Sequence, residues 1–115
     1  MPRSGELHVI KECSEYQGRP GDFCTIVSSN LEEIAAGAKV IYEDAVGETS
    51  LDTDVTLDAG DGNTAAGHVV LDLATDAGSV TFSGGSGTFT GFQAKADVTP
   101  DPEGRSHWDG TYSFD

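Results

Sequence analysis

The sequence predicts an all-β domain in which eight antiparallel strands close into a barrel around a small apolar cavity. Three observations favour this fold: short segments alternate apolar and polar side chains, Gly and Asp recur between those segments, and 115 residues suit a single domain. Closing a sheet removes its exposed edges, and eight strands leave an interior just wide enough for a small ligand. A two-sheet sandwich is the alternative with the same strand count.

The clearest alternation runs from Leu51 to Asp58, where Leu, Thr, Val and Leu share one face and Asp, Asp, Thr and Asp share the other. One face of this strand is therefore predicted to be buried. The same pattern predicts eight strands, at residues 6–13, 23–30, 38–43, 51–58, 67–74, 78–83, 87–98 and 107–114. We treat residues 1–115 as one domain and expect residues 1–4 to be disordered or additional to it.

One short helical turn is predicted at Leu31–Ala36, with Asn30 as its N-cap and Gly37 as its end. Glycines at 67, 87 and 91 fall inside strands or at their ends, where glycine marks a bend or a bulge of a barrel. The acidic segment Asp58–Asn63 lacks the ligand spacing of a calcium-binding loop, so we predict a turn in which Asp side chains bond to the backbone.

The charge balance excludes some partners. Twenty acidic against six basic residues give a formal net charge of −14, which argues against binding nucleic acid or an anionic membrane surface. The excess of acidic residues has two alternative explanations: it keeps the protein soluble, or it forms a site for a cation or a cationic ligand. No apolar run approaches the length that spans a bilayer as a helix.

The two cysteines predict a disulfide. Cys13 and Cys24 have a Gly- and Pro-containing segment between them that is typical of a turn joining two strands, so their approach is sterically easy. A disulfide favours an oxidising compartment. The opening Met-Pro-Arg-Ser lacks the apolar core of a signal peptide, so we expect either a secreted protein whose signal has been removed or a cytoplasmic one.

Two residues are predicted to carry chemistry. Lys11 would face the interior if Leu7 and Val9 do, and a lysine in an apolar cavity has a lowered pKa and can act as a base or form an imine. His68 lies in a strand and suits acid–base chemistry at neutral pH. The alternatives are a solvated lysine at the barrel mouth and an outward-facing histidine.

A second group of polar residues is predicted to contact a ligand because they lie in strands or at strand ends: Ser28, Asn30, Tyr42, Gln93 and Tyr112. Each has the alternative role of a structural polar group. The aromatic residues at 82, 89, 92, 108 and 114 are predicted core, some of them lining the cavity. No cofactor is expected, and neither His8 nor His107 has a spacing that indicates a metal site.

Three motifs follow one another along the chain: Gly21-Asp22-Phe23, Gly67-His68-Val69 and the glycine hairpin Gly84–Gly91, before a final strand Trp108–Phe114. These motifs resemble allene oxide cyclase and dirigent-protein barrels, and the final strand is similar to that of secreted bacterial relatives. The resemblance covers nearly the whole chain in order and spacing. Where allene oxide cyclases carry a Glu and, two residues on, an Asn, this chain has Val9 and Lys11, and Glu12 lies next to them on the opposite face.

The resemblance implies an eight-stranded barrel, often trimeric, that steers a reactive hydrophobic molecule to one product. It favours a cofactor-free isomerase or cyclase that holds a flexible substrate in its reactive conformation. Two alternatives stay open: a non-catalytic carrier of a hydrophobic small molecule, and a secreted structural domain with a filled interior.

Overall fold

A computed structural model describes residues 3–13, 21–31, 33–34, 36–43, 47, 49–72, 74–75, 77–102 and 105–114. These residues form eight strands and one 3₁₀ turn. The strands are β1 (Arg3–Glu12), β2 (Phe23–Ser29), β3 (Lys39–Tyr42), β4 (Ser50–Asp58), β5 (Thr64–Asp72), β6 (Ala77–Ser86), β7 (Phe92–Pro100) and β8 (Ser106–Phe114). No helix among the described residues is long and apolar enough to cross a membrane.

The strands close into an antiparallel barrel in chain order, which confirms the predicted fold class. Each strand pairs with the next, and β8 closes the barrel by pairing with β1 over nine residue pairs, among them Val9 with Trp108. Arg3 and Ser4 belong to this pairing, opposite Phe114 and Ser113, so β1 begins earlier than the predicted boundary. The barrel leaves no exposed sheet edge among the described strands, which removes a site of strand addition between chains.

The alternation along β4 is confirmed residue by residue. Leu51, Thr53, Val55 and Leu57 are buried, and the Asp and Thr side chains between them are exposed or partly exposed. Buried positions on the other strands follow the same period of two, so the inward faces of all eight strands share one core. Its largest fully buried side chains are Trp108, Tyr42, Phe89, Phe92, Leu7, Ile26, Ile34, Leu51 and Leu57.

The seventh strand begins later than the sequence predicts. β7 begins at Phe92 rather than at 87, because Gly87–Phe89 forms a 3₁₀ turn that places Phe89 in the core. Gly87 and Gly91 flank this turn with φ angles of 61° and 78°, a region that favours glycine. The Asn63 side chain accepts a 2.9 Å hydrogen bond from the Thr88 amide and holds the turn against the start of β5.

The predicted helical turn at Leu31–Ala36 is not a helix in its described residues, which lie in bends and turns. Residues 32 and 35 lie outside the described part of the chain. Asn30 does not cap this segment. Its side-chain oxygen accepts a 2.8 Å hydrogen bond from the His8 amide and its side-chain nitrogen donates to the Glu6 carbonyl at 2.8 Å. The Asn30 amide therefore extends the contact between β1 and β2 instead of stopping a helix.

The Asp58–Asn63 segment forms the predicted turn. The Asp58 carboxylate accepts a 2.9 Å hydrogen bond from the Gly60 amide, and Gly60, Asp61 and Gly62 all have positive φ angles. The bend predicted at Gly67 is present as a register shift between β5 and β6. A Cβ atom at Gly67 would lie 2.5 Å from the Phe82 ring, so the bare backbone there makes room for that aromatic side chain.

The Cys13–Cys24 disulfide is present and joins the end of β1 to the start of β2. Its Cα atoms lie 4.2 Å apart, close to the lower end of the usual range. Residues 14–20, which complete the predicted turn between the cysteines, lie outside the described residues. The crosslink fixes the barrel end at which β1 finishes, next to Lys11.

Candidate functional site

Lys11, Tyr42 and Trp108 meet inside the barrel, at the end where β1 and β3 finish and β8 begins. Leu7, Val9 and Lys11 are all buried, so this face of β1 points to the barrel interior as far along the strand as Lys11. The Lys11 residue is only 3% exposed. The alternative of a solvated lysine at the barrel mouth is therefore wrong.

The Lys11 ammonium group has few partners. Its Nζ atom donates a hydrogen bond of 2.5 Å to the Tyr42 hydroxyl and lies 3.7 Å from the sulfur of Cys13. Two aromatic rings face it, with centroids at 5.2 Å for Tyr42 and 5.8 Å for Trp108, both inside the range of cation–π attraction. No carboxylate of the described residues pairs with Lys11, so this buried cation has hydroxyl, sulfur and aromatic neighbours instead of a counter-ion.

Burial lowers the pKa of Lys11 from 10.5 to about 8, because an interior that solvates charge poorly disfavours the ammonium form. At pH 7 about a tenth of such an amine is neutral, against roughly one part in three thousand for an ordinary lysine. The interior thus holds a primary amine that can accept a proton or attack an electrophile near neutral pH.

Trp108 places a second polar group in the barrel interior near Lys11. Its ring is fully buried and packs against Phe82 with the ring centroids 5.6 Å apart. The indole Nε1 is the one buried side-chain nitrogen or oxygen in the described part of the chain without a hydrogen-bond partner. Buried donors are nearly always satisfied, so an orphan indole N–H calls for a physical explanation.

His68, the second predicted catalytic residue, lies on the outer wall rather than beside Lys11. Its two ring nitrogens lie 2.9 Å from an Asp54 carboxylate oxygen and 2.5 Å from one of Asp52. These hydrogen bonds, the one to Asp54 first, raise the pKa of His68 above 6.5 against a smaller opposing effect of desolvation. No group of three or more His, Cys, Asp or Glu side chains within the described ranges is placed to hold a metal ion.

The contacts of His68 with Asp54 and Asp52 predict how the His68 ring titrates. We expect the His68 ring to titrate above 6.5 in an NMR pH series, and Asp54→Asn and Asp52→Asn each to lower the midpoint of this titration. Because folding raises the pKa of His68, its contacts with the two aspartates add to the free energy of unfolding. This contribution is fully present below pH 6.5 and is lost as the pH rises through the pKa of His68 in the folded protein. The side chain is 42% exposed, so solvent screening keeps this contribution small. Equal midpoints in wild type and both variants would contradict the assignment.

The predicted ligand-binding residues divide between the interior and the outer wall. Tyr42 is buried beside Lys11, whereas Ser28, Asn30 and Gln93 are exposed. Gln93 and the half-buried Tyr112 line an open groove of about 740 Å³ across β6, β7, β8 and β1. From the predicted set, the structure therefore places Lys11 and Tyr42 together in the interior, and Gln93 and Tyr112 together along the open groove.

The sequence places Trp108 in the core or the cavity lining and does not indicate that its indole N–H lacks a hydrogen-bond partner among the described residues. A tryptophan in an alternating strand indicates burial, but nothing in the local pattern shows whether its N–H finds an acceptor. The sequence also gave no signal that Tyr42 pairs with Lys11, because the two residues are 31 positions apart on non-adjacent strands.

No family model, no curated protein and no solved structure matches this chain.

Proposed function

We propose that this protein is a cofactor-free isomerase or cyclase that holds a hydrophobic small molecule in its barrel and moves a proton with Lys11. The observation that carries the proposal is the buried Lys11 amine, hydrogen-bonded to the Tyr42 hydroxyl and without a carboxylate partner among the described residues. A buried lysine without a counter-ion is costly, and perturbed ionisable groups of this kind cluster at functional sites.

The roles follow from the chemistry of the two groups. The neutral Lys11 amine removes a proton from an acidic C–H of the guest, and the Tyr42 hydroxyl, 2.5 Å away, is placed to share that proton. The inward face around them is otherwise mainly aliphatic and aromatic, which favours a hydrophobic guest. When the barrel holds a flexible guest in one conformation, the guest loses conformational entropy on binding. The activation barrier of the reaction then no longer includes that loss.

A carrier with the same interior and no chemistry is the second candidate. The observation that favours it is the mainly apolar composition of the inward face, in which Lys11 and Thr53 are the buried polar or charged residues of the described chain. In that case Lys11 would bind a guest without exchanging protons with it.

Proton abstraction by Lys11 can be tested without knowing the natural substrate. In the ring opening of 5-nitrobenzisoxazole, a base removes the C–H proton, the N–O bond breaks and a coloured cyanophenolate forms. We expect the wild-type protein to exceed the buffer rate, with a pH profile that rises with a midpoint near 8, and Lys11→Met to lower this excess at least about tenfold.

The matched control is Lys95→Met, which removes an exposed lysine from β7 and should leave the rate unchanged. Retention of the full rate in Lys11→Met would overturn the role of Lys11 as a base. Quenching of Trp108 fluorescence by the probe with no reaction above buffer would favour the carrier instead.

The location and assembly of the protein belong to the same proposal. The Cys13–Cys24 disulfide supports a secreted protein, since disulfides persist in oxidising compartments. A homotrimer follows only from the family resemblance, and a measurement of molecular mass in solution tests it.

A further inference from the structure

We propose that Lys11 forms an imine with a hydrophobic aldehyde or ketone, so that carbonyl compounds are the substrate class of the barrel interior. This inference rests on the proposed function, since both place the guest beside Lys11. It goes further by assigning Lys11 a covalent role. Three features of the barrel interior around Lys11 carry it: the buried amine, the adjacent Tyr42 hydroxyl and the unsatisfied indole N–H of Trp108.

The reaction balances without an oxidant or a cofactor. The lone pair of the neutral Lys11 nitrogen attacks the carbonyl carbon, a C–N bond forms and the carbonyl π electrons move to oxygen. A proton passes from nitrogen to that oxygen and gives a neutral carbinolamine. Its hydroxyl then takes a second proton, which comes from solvent, and leaves as water while the nitrogen lone pair forms the C=N bond of a protonated imine. The Tyr42 hydroxyl, 2.5 Å from the nitrogen, is placed to relay these protons.

The aromatic neighbours favour the product of this step. A protonated imine keeps a positive charge at the position of Nζ, which faces the rings of Tyr42 and Trp108 at 5.2 and 5.8 Å. Cation–π attraction stabilises such a charge where no carboxylate is present, and it is strongest where water is excluded.

The orphan indole N–H favours an oxygen-bearing guest over a hydrocarbon. The Nε1 atom of Trp108 is buried and has no acceptor in the described chain, and leaving a buried donor unsatisfied is unfavourable. The indole ring that carries this N–H faces Lys11, whose Nζ lies 5.8 Å from the ring centroid. A guest with a carbonyl oxygen brings an acceptor that a hydrocarbon guest lacks.

Trapping the imine in the intact protein tests the inference. The protein is incubated at pH 7 with cinnamaldehyde and sodium cyanoborohydride, which reduces an imine to a stable secondary amine, and the labelled positions are mapped by mass spectrometry. The chain contains two other lysines, Lys39 and Lys95, which are exposed and serve as internal references. We expect Lys11 to be labelled at least about tenfold faster than either, because a larger share of its amine is neutral.

Two variants separate chemistry from structure. Tyr42→Phe keeps the ring and removes the hydroxyl, and it should slow the labelling of Lys11 several-fold with no change at Lys39 and Lys95. Trp108→Phe should also slow only Lys11. The inference is overturned if Lys11 is labelled no faster than the two exposed lysines. It is also overturned if formaldehyde labels Lys11 and cinnamaldehyde does not, because the interior then excludes hydrophobic carbonyl compounds.

The benzisoxazole assay on the same preparation distinguishes the two proposals. Proton abstraction without labelling of Lys11 overturns the imine and supports the proposed function. Labelling of Lys11 without proton abstraction supports the imine and overturns the role of Lys11 as a general base. Absence of both overturns both.

Discussion

Replacing Lys11 with Met should raise the free energy of unfolding at pH 7 by about 3 kcal/mol, an unusual gain for a single substitution. The folded state holds Lys11 with a pKa of about 8, whereas an exposed lysine has a value of 10.5. At pH 7 the native protein therefore carries a charge that its interior disfavours. Met has a similar length and no charge, so it removes that cost without leaving a large cavity.

The lowered pKa of Lys11 also determines how the stability of the protein depends on pH. Between about 8 and 10.5 the unfolded chain binds more protons at Lys11 than the folded chain does, so the stability of the wild type should rise with pH across this window. In Lys11→Met that rise should disappear. Urea unfolding followed by far-ultraviolet circular dichroism at pH 7, 8.5 and 10 measures both effects.

The control for this experiment is Lys95→Met, which removes a lysine on the outer wall and should change stability by less than about 0.5 kcal/mol. A Lys11→Met protein that is less stable than wild type at pH 7 would show that the ammonium group is better accommodated than its burial indicates. A variant that is more stable but inactive in the benzisoxazole assay would show that Lys11 is kept at the expense of stability, as functional residues often are.

Replacing Trp108 with Ala should lower the free energy of unfolding by about 3–5 kcal/mol. Trp108 is fully buried, pairs in β8 opposite Val9 of β1 and packs on Phe82 at a centroid distance of 5.6 Å. Its removal leaves a large void where the barrel closes. Because it is the only tryptophan in the chain, unfolding of the variant has to be followed by circular dichroism rather than by fluorescence.

Two comparisons make the Trp108 result specific. Val70→Ala truncates an apolar side chain that is 44% exposed on the outer wall and should cost little. Trp108→Phe keeps an aromatic ring and removes the unsatisfied N–H, so it should cost clearly less than Trp108→Ala. If Trp108→Ala lowers the free energy of unfolding by less than about 1 kcal/mol, neighbouring side chains must move into the space that the indole ring leaves.

The sequence by itself determined the all-β class and much of the local structure, and it left a two-sheet sandwich open beside the barrel. Alternation from Leu51 to Asp58 assigned the buried face of β4 because neighbouring side chains of a strand point to opposite sides. The turn at Asp58–Asn63 and the bend at Gly67 are likewise local, set by residues that accept positive φ angles or tolerate close backbone approach. The disulfide followed from the short separation of Cys13 and Cys24.

Only the tertiary structure decided which polar residues meet. Lys11 and His68 both lie on strands with alternating side chains, yet Lys11 points inward and His68 bridges two carboxylates on the outer wall. The register with the neighbouring strands decides which face of each strand is buried. The contact of Lys11 with Tyr42 joins β1 to β3, which is not its neighbour in the sheet, and the contact with Trp108 depends on the pairing of β8 with β1. Closure and register are properties of the whole sheet, so a pattern read along one strand contains no information about them.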